Sequence, residues 1–231
     1  MEISKSDKTA LLFGATGLVG KHVLEMLLWH GAYAKVHTFG RRTLQMEHPR
    51  LVHHLIDFNR LEAVKHLLQG DDLYLCLGTT RAKAGSKEAF YQVDYTWNLE
   101  IARMACDNGV NQLLLVSSVG ADPTSSFFYT RVKGQLEEAV KQLPFWAVHI
   151  FQPSVLLGER NENRWGEAIA GKLGKLIDAA TGGLLKKYRP VEADVVARAM
   201  VSAAQRLEPG IHVYPSHWLQ ELAEAIDRQT R

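Results

Sequence analysis

Cysteine is nearly absent. Cys76 and Cys106 are the two among 231 residues, and two cysteines make no disulfide framework. One sits in an apolar run and the other in a helical pattern, so both read as small buried hydrophobes. An excess of one charge is also lacking. Lys and Arg number 27 against 25 Asp and Glu, so the basic excess of a nucleic-acid binder is missing. No apolar run approaches the length of a membrane span. Residues 1–8 are polar and hold no apolar stretch of a secretory signal, which predicts a soluble, cytoplasmic protein without a membrane partner. Internal repeats and low-complexity linkers are missing too. No grouping of His, Cys and carboxylates has the spacing of a metal site. His53 and His54 are adjacent, so on a strand they point to opposite faces and cannot chelate one ion together.

What the sequence does have is alternation. Short apolar runs over residues 9–13, 34–39, 51–56, 73–77, 113–116 and 147–151 read as strands. Amphipathic patterns over 18–30, 61–68, 89–107 and 129–142 read as helices between them. The predicted fold is α/β, a Rossmann-type doubly wound parallel sheet with helices on both faces. Runs such as Leu113-Leu114-Leu115-Val116 are continuously apolar, as strands covered on both faces must be. Beyond residue 151 the pattern changes. Residues 158–190 are rich in glycine and turn signals and predict a small C-terminal region covering a substrate. Within it Trp165, Ile169, Leu173 and Ile177 form an apolar stripe, read as core before substrate wall. A helix at 195–207, a strand at 211–214 and a last helix from about 217 complete one domain over residues 1–231.

Gly14-Ala15-Thr16-Gly17-Leu18-Val19-Gly20 opens the first helix directly after the first strand. Gly14 allows the tight turn, Gly17 lets backbone approach a pyrophosphate, and Gly20 permits close packing of helix on strand. Free N–H groups at the helix start then face the phosphates. A glycine motif alone is a weak signal, but in the first βα turn the physics requires it. The second strand ends in Phe39-Gly40-Arg41-Arg42, with no acid to hold a ribose 2′-hydroxyl. Guanidinium groups match a 2′-phosphate, so the pair points to NADP(H), unless both arginines merely coat the surface. Asp57 ends the third strand, either holding an adenine ring or lying solvated. Arg81, Lys83 and Lys87 make a basic loop after the fourth strand, read as solvated before it is read as a substrate anchor.

The catalytic candidates are Ser118, Tyr129 and Lys133. Tyr129 and Lys133 are four residues apart and share one helix face. A lysine ammonium beside a phenol favours phenolate and would also reach the nicotinamide ribose. Ser118, at the carboxyl end of the fifth strand, can hold a substrate oxygen. The Tyr-x-x-x-Lys spacing recurs by chance, so its weight comes from following Val116-Ser117-Ser118 on a nucleotide-binding sheet.

The glycine loop, the Ser-Ser strand end and the Tyr129/Lys133 pair resemble the short-chain dehydrogenase/reductase superfamily in its atypical branch. Cys76-Leu77-Gly78-Thr79-Thr80-Arg81 and Pro153-Ser154-Val155-Leu156-Leu157 add to the likeness, which covers about residues 9–165. The resemblance implies that Leu77, Gly78 and Thr79 line the cofactor and that Pro153, Ser154 and Val155 lie near the nicotinamide. It also implies NADPH binding. Two departures stand out. Many enzymes of the superfamily add an asparagine from the helix after strand four, where this chain offers Asp94 and Asn98, neither assignable. Extended members carry an arginine before the proline after strand six, where this chain has Gln152.

The reading is an NADP(H)-dependent oxidoreductase acting on a small carbonyl or alcohol. Its rivals are an NADP(H)-sensing regulator with a protein partner, and a nucleotide-sugar epimerase, for which the chain is short.

Overall fold

The computed structural model describes residues 6–157 and 189–229. Seven parallel strands stand in the order β3-β2-β1-β4-β5-β6-β9. They are β1 (Lys8–Phe13), β2 (Tyr33–Gly40), β3 (Leu51–Leu55), β4 (Asp72–Leu75), β5 (Gln112–Val116), β6 (Ala147–Gln152) and β9 (Gly210–Pro215). A separate parallel pair joins β7 (Leu156–Leu157) to β8 (Val191–Glu192). The chain order reverses between β1 and β4, which makes the carboxyl ends of those strands the switch point where ligands bind in such sheets.

Strand residues alternate between two cores. Ala10, Leu12, Tyr74 and Leu114 join one, packed under helix α1 (Leu18–Trp29), α4 (Ala193–Arg206) and the start of α5 (Leu219–Gln229). Leu11, Phe13, Leu73 and Leu115 join the other, packed under α2 (Lys87–Tyr91 and Asn98–Asp107) and α3 (Phe128–Lys141). The doubly wound arrangement follows from that two-sided burial.

Two helices depart from expectation. The pattern over 61–68 forms 3-10 turns instead, spanning Phe58–Leu67 and capped by Asp57, whose carboxylate accepts from the Asn59 N–H at 2.9 Å. The long helix α2 is not continuous. Lys87–Tyr91 and Asn98–Asp107 are α-helical, and Gln92–Trp97 between them is a π turn. The Asn98 side chain donates to the Val93 carbonyl at 2.9 Å and bridges the widened turn. Periodicity over a long window does not register one inserted residue. Cys76 and Cys106 are free and only partly buried, where full burial was expected. The apolar stripe from Trp165 to Ile177 and nearly all of the expected lobe at 158–190 lie outside the described residues.

The amino ends of the strands close on a buried polar network. Asp72 pairs with Lys8 and accepts from the Gln112 amide at 2.9 Å. The Gln112 carbonyl faces His149 Nε2 at 3.3 Å, and His149 Nδ1 faces the Tyr214 hydroxyl at 3.1 Å. Because a carbonyl only accepts, Nε2 carries the proton and Nδ1 accepts, which is the neutral imidazole. Burial, then the charges of His212, Arg206 and Lys8, push His149 from 6.5 down to about 3. The folded state therefore refuses a proton that the unfolded chain accepts, so stability is full above pH 6.5 and falls as the pH drops from there toward 3. Between pH 7 and pH 5 this group should cost about 2 kcal/mol. Urea denaturation of wild type and His149→Phe at both pH values checks it. An equal loss in both proteins would remove His149 as the cause.

Candidate functional site

The site is built where strands end. Gly14 follows β1 with φ +87°, and a Cβ on it would lie 2.5 Å from the Cys76 carbonyl oxygen. A Cβ on Gly20 would lie 2.0 Å from the Gly14 oxygen, so the first turn of α1 rests directly on the loop. The Gly17 N–H donates to the Gly14 carbonyl at 2.8 Å. Gly17 caps α1 with no side-chain cap and no acid in the first turn. The N–H groups of Leu18, Val19 and Gly20 begin the helix and have no partner within it. Thr16 is exposed on the rim of the loop. From the end of β2, Arg42 reaches back toward it, Nη2 lying 3.4 Å from Thr16 Oγ1. Arg41 beside it is exposed.

Leu77, Gly78 and Thr79 leave the sheet after β4, next to the glycine loop. Beneath them lies an ion pair that sequence reading left unassigned. Lys133 is 5% exposed and Asp94 1%, and their Nζ and Oδ1 atoms are 2.8 Å apart. The other Asp94 oxygen accepts from the Thr79 N–H at 2.9 Å. A Cβ on Gly78 would sit 3.4 Å from Asp94 Oδ1 and 3.8 Å from Lys133 Nζ, so the loop backbone passes directly over the pair. Burial works against the Lys133 ammonium, but Asp94, Tyr129 and Glu137 outweigh it and hold the amine above its ordinary range. Asn98, the other candidate on α2, serves its own helix.

A second buried carboxylate lies one turn further along α3. Glu137 accepts from the Ser117 hydroxyl, and the Gln152 amide donates to its two oxygens at 3.1 and 3.0 Å. Burial raises its pKa, and the bonds from Ser117 and Gln152 offset that rise only in part. Gln152 thus stitches the end of β6 to the helix that carries Tyr129 and Lys133. A signal for both acids was present. Phe90, Asp94, Trp97 and Ile101 recur at helical spacing, so Asp94 falls on a buried stripe, where a lone carboxylate needs a partner. Glu137 follows Lys133 by one turn on an equally buried face.

Ser118 follows β5, and Tyr129 lies in the first turn of α3. The Ser118 hydroxyl has a long contact, 3.4 Å, with the Val119 carbonyl. Tyr129 is 43% exposed, with its ring 5.7 Å from that of buried Phe90. The loop between them is fixed, because Gly134 packs so closely on Asp122 and Pro123 that a Cβ would fall 2.3 Å from their backbone. Pro153 accepts from the Val119 N–H at 2.9 Å and so joins the ends of β5 and β6. The Ser154 N–H donates to Ser216 at 3.1 Å, its hydroxyl donates to the Arg189 carbonyl, and Val155 is exposed. His53 bonds Thr38 at 2.8 Å and His54 bonds His37 at 2.9 Å, on opposite faces of β3. Among the described residues no cluster of three or more His, Cys, Asp or Glu is placed to hold a metal ion.

A family model described as NAD(P)H-binding matches residues 14–145. The chain belongs to this NAD(P)H-binding family. Protein HTATIP2 of Rattus norvegicus is 36% identical over 206 residues, 87% of this chain and 83% of that one. The protein fmp52, mitochondrial, of Emericella nidulans is 37% identical over 203 residues, covering 83% and 85%. The likeness therefore runs well past residue 165, further than the motifs reached. Among solved structures, MoeE5 in complex with UDP-glucose and NAD superposes with a TM-score of 0.67 at 17% identity, covering 89% of this chain and 74% of that one. At that identity it supports the Rossmann fold alone.

Family members correct one expectation. Relatives from several fungi are named as mitochondrial, so the cytoplasmic reading does not stand. The expectation rested on the composition of residues 1–8, which does not separate the compartments that different targeting signals address. Among the described residues no helix is long and apolar enough to cross a membrane.

Proposed function

We propose that this chain is an NADP(H)-dependent oxidoreductase acting on a small carbonyl or alcohol. The observation that carries the reading is Lys133, buried beneath Gly78 beside the switch point and one helical turn from Tyr129. The glycine cradle and the uncapped, acid-free start of α1 fit a pyrophosphate. Pro153, Ser154 and Val155 suit the nicotinamide side by their position after β6. When bound, the cofactor supplies or takes a hydride at the carbonyl carbon. Ser118 Oγ would hold the substrate oxygen, and Tyr129 Oη would give or take its proton. The Lys133 ammonium would favour the phenolate and hold the ribose. Asp57 is proposed to face the adenine with the carboxylate that also caps the 3-10 turn.

Preference for NADP(H) rests on Arg41 and Arg42 at the end of β2, with no acid at that strand end. NADPH should bind more tightly than NADH by about 1.5 to 3 kcal/mol, the range of hydrogen bonds to charged groups. Calorimetric titration of both cofactors tests it. Equal affinities would sink the idea, as would a difference that survives Arg41→Ala with Arg42→Ala. A panel of carbonyls and alcohols, followed by absorbance of the reduced nicotinamide, tests turnover.

A further inference from the structure

We propose that Asp94 is the positioning residue for Lys133, and that through it the seating of Lys133 is tied to the loop Leu77–Gly78–Thr79. This rests on the cofactor reading above and extends it. One Asp94 oxygen is 2.8 Å from the ammonium, and the other takes the Thr79 N–H at 2.9 Å. One carboxylate therefore fixes both the amine and the strand end that passes over it. The π turn Gln92–Trp97 carries Asp94 into the interior. An extra residue in a helix turns the side chains beyond it, and such turns recur at functional sites.

A lysine this buried needs a counter-charge. The groups that bear on Lys133 are Asp94 from α2 and Tyr129 and Glu137 from its own helix. Tyr129 is part-exposed, and Glu137 is already engaged by Ser117 and Gln152. Asp94 is the partner in direct contact. With it, the ammonium stays charged through the neutral and alkaline range, and its grip on a ribose hydroxyl is independent of pH. Without it, burial favours the neutral amine, and the grip fades as pH rises.

Asp94→Asn is the test, because asparagine keeps the volume and an acceptor for the Thr79 N–H while removing the charge. NADPH affinity is read by fluorescence titration at roughly pH 7 and pH 9.5. Wild type should hold level between the two. Asp94→Asn should weaken on the order of 10-fold or more at the higher pH, as expected when a charge-assisted hydrogen bond is lost. Parallel pH profiles in the two proteins would overturn the proposal while leaving the cofactor reading intact. Failure of wild type to bind NADPH at all would count against the cofactor reading instead. The pair is also read without cofactor, by thermal unfolding. Lys133→Met alone strands a buried carboxylate, so Lys133→Met with Asp94→Asn should melt higher than Lys133→Met alone. A double variant that melts no higher would overturn the pairing of Asp94 with Lys133 whatever binds above it.

Discussion

Gly17→Val should abolish NADPH binding and leave the protein folded. Gly17 differs from its two neighbours in what surrounds it. A Cβ on Gly14 would lie 2.5 Å from the Cys76 oxygen, on a backbone with φ +87°. One on Gly20 would lie 2.0 Å from the Gly14 oxygen. Side chains at those two positions break the turn itself. At Gly17 the nearest atom is the Gly14 oxygen at 3.1 Å, with the Cys76 oxygen next at 3.8 Å. A Cβ is tight there but can be accommodated by a small shift of the loop. The branched remainder of valine then occupies the approach to the Leu18 and Val19 N–H groups. Losing two hydrogen bonds to a charged phosphate corresponds to about 100-fold or more in affinity. Fluorescence titration with NADPH, alongside circular dichroism, separates the cases. Gly20→Ala should lower thermal stability, whereas Gly17→Val should lower binding with its melting point near wild type. A folded Gly17→Val protein that binds NADPH undiminished would mean that the loop is only a turn.

The parts legible in sequence are those governed by local rules. Strands β1, β4, β5 and β6 read as short apolar runs because both of their faces are buried, and Gly14 and Gly20 were legible because each answers a separate close approach of backbone. The parts that were not legible depend on contacts between distant residues or on a single inserted residue. Asp94 and Lys133 meet only because α2 and α3 pack on the same face of the sheet. The π turn that aims Asp94 inward is invisible to a 3.6-residue period. Gln152 read as a departure from an arginine pattern, and its partner Glu137 was missed because a carboxylate at the end of a helical stripe is more often solvated. Arg42 was read for its charge, but its reach to Thr16 across 26 residues of sequence depends on how β1 and β2 pair. The compartment is a different case: it depends on an address read by other proteins, which fold physics does not encode.

Tyr129→Phe should lower turnover on the order of 10²-fold or more while leaving NADPH affinity almost unchanged. The hydroxyl removed is the proposed proton carrier, and the ring that remains keeps its place 5.7 Å from Phe90. Because Tyr129 is 43% exposed, the change leaves no buried polar group unsatisfied and should not disturb the fold. Lys133→Met should behave differently. It removes a buried ammonium and leaves Asp94 alone in the interior, so turnover, NADPH affinity and stability should all fall together. The contrast between the two variants is the diagnostic. A proton carrier is lost from the rate alone, whereas a residue that both holds the cofactor and charges the site is lost from every measurement. The assay is the same panel of carbonyls and alcohols for wild type and both variants, with the reduced nicotinamide followed by absorbance. Turnover that survives Tyr129→Phe would remove Tyr129 from the chemistry and leave the cofactor site standing. Tight NADPH binding by wild type with no turnover across a broad panel would overturn the oxidoreductase reading itself, because a positioned Ser118, Tyr129 and Lys133 would then be serving recognition of the cofactor and not reaction.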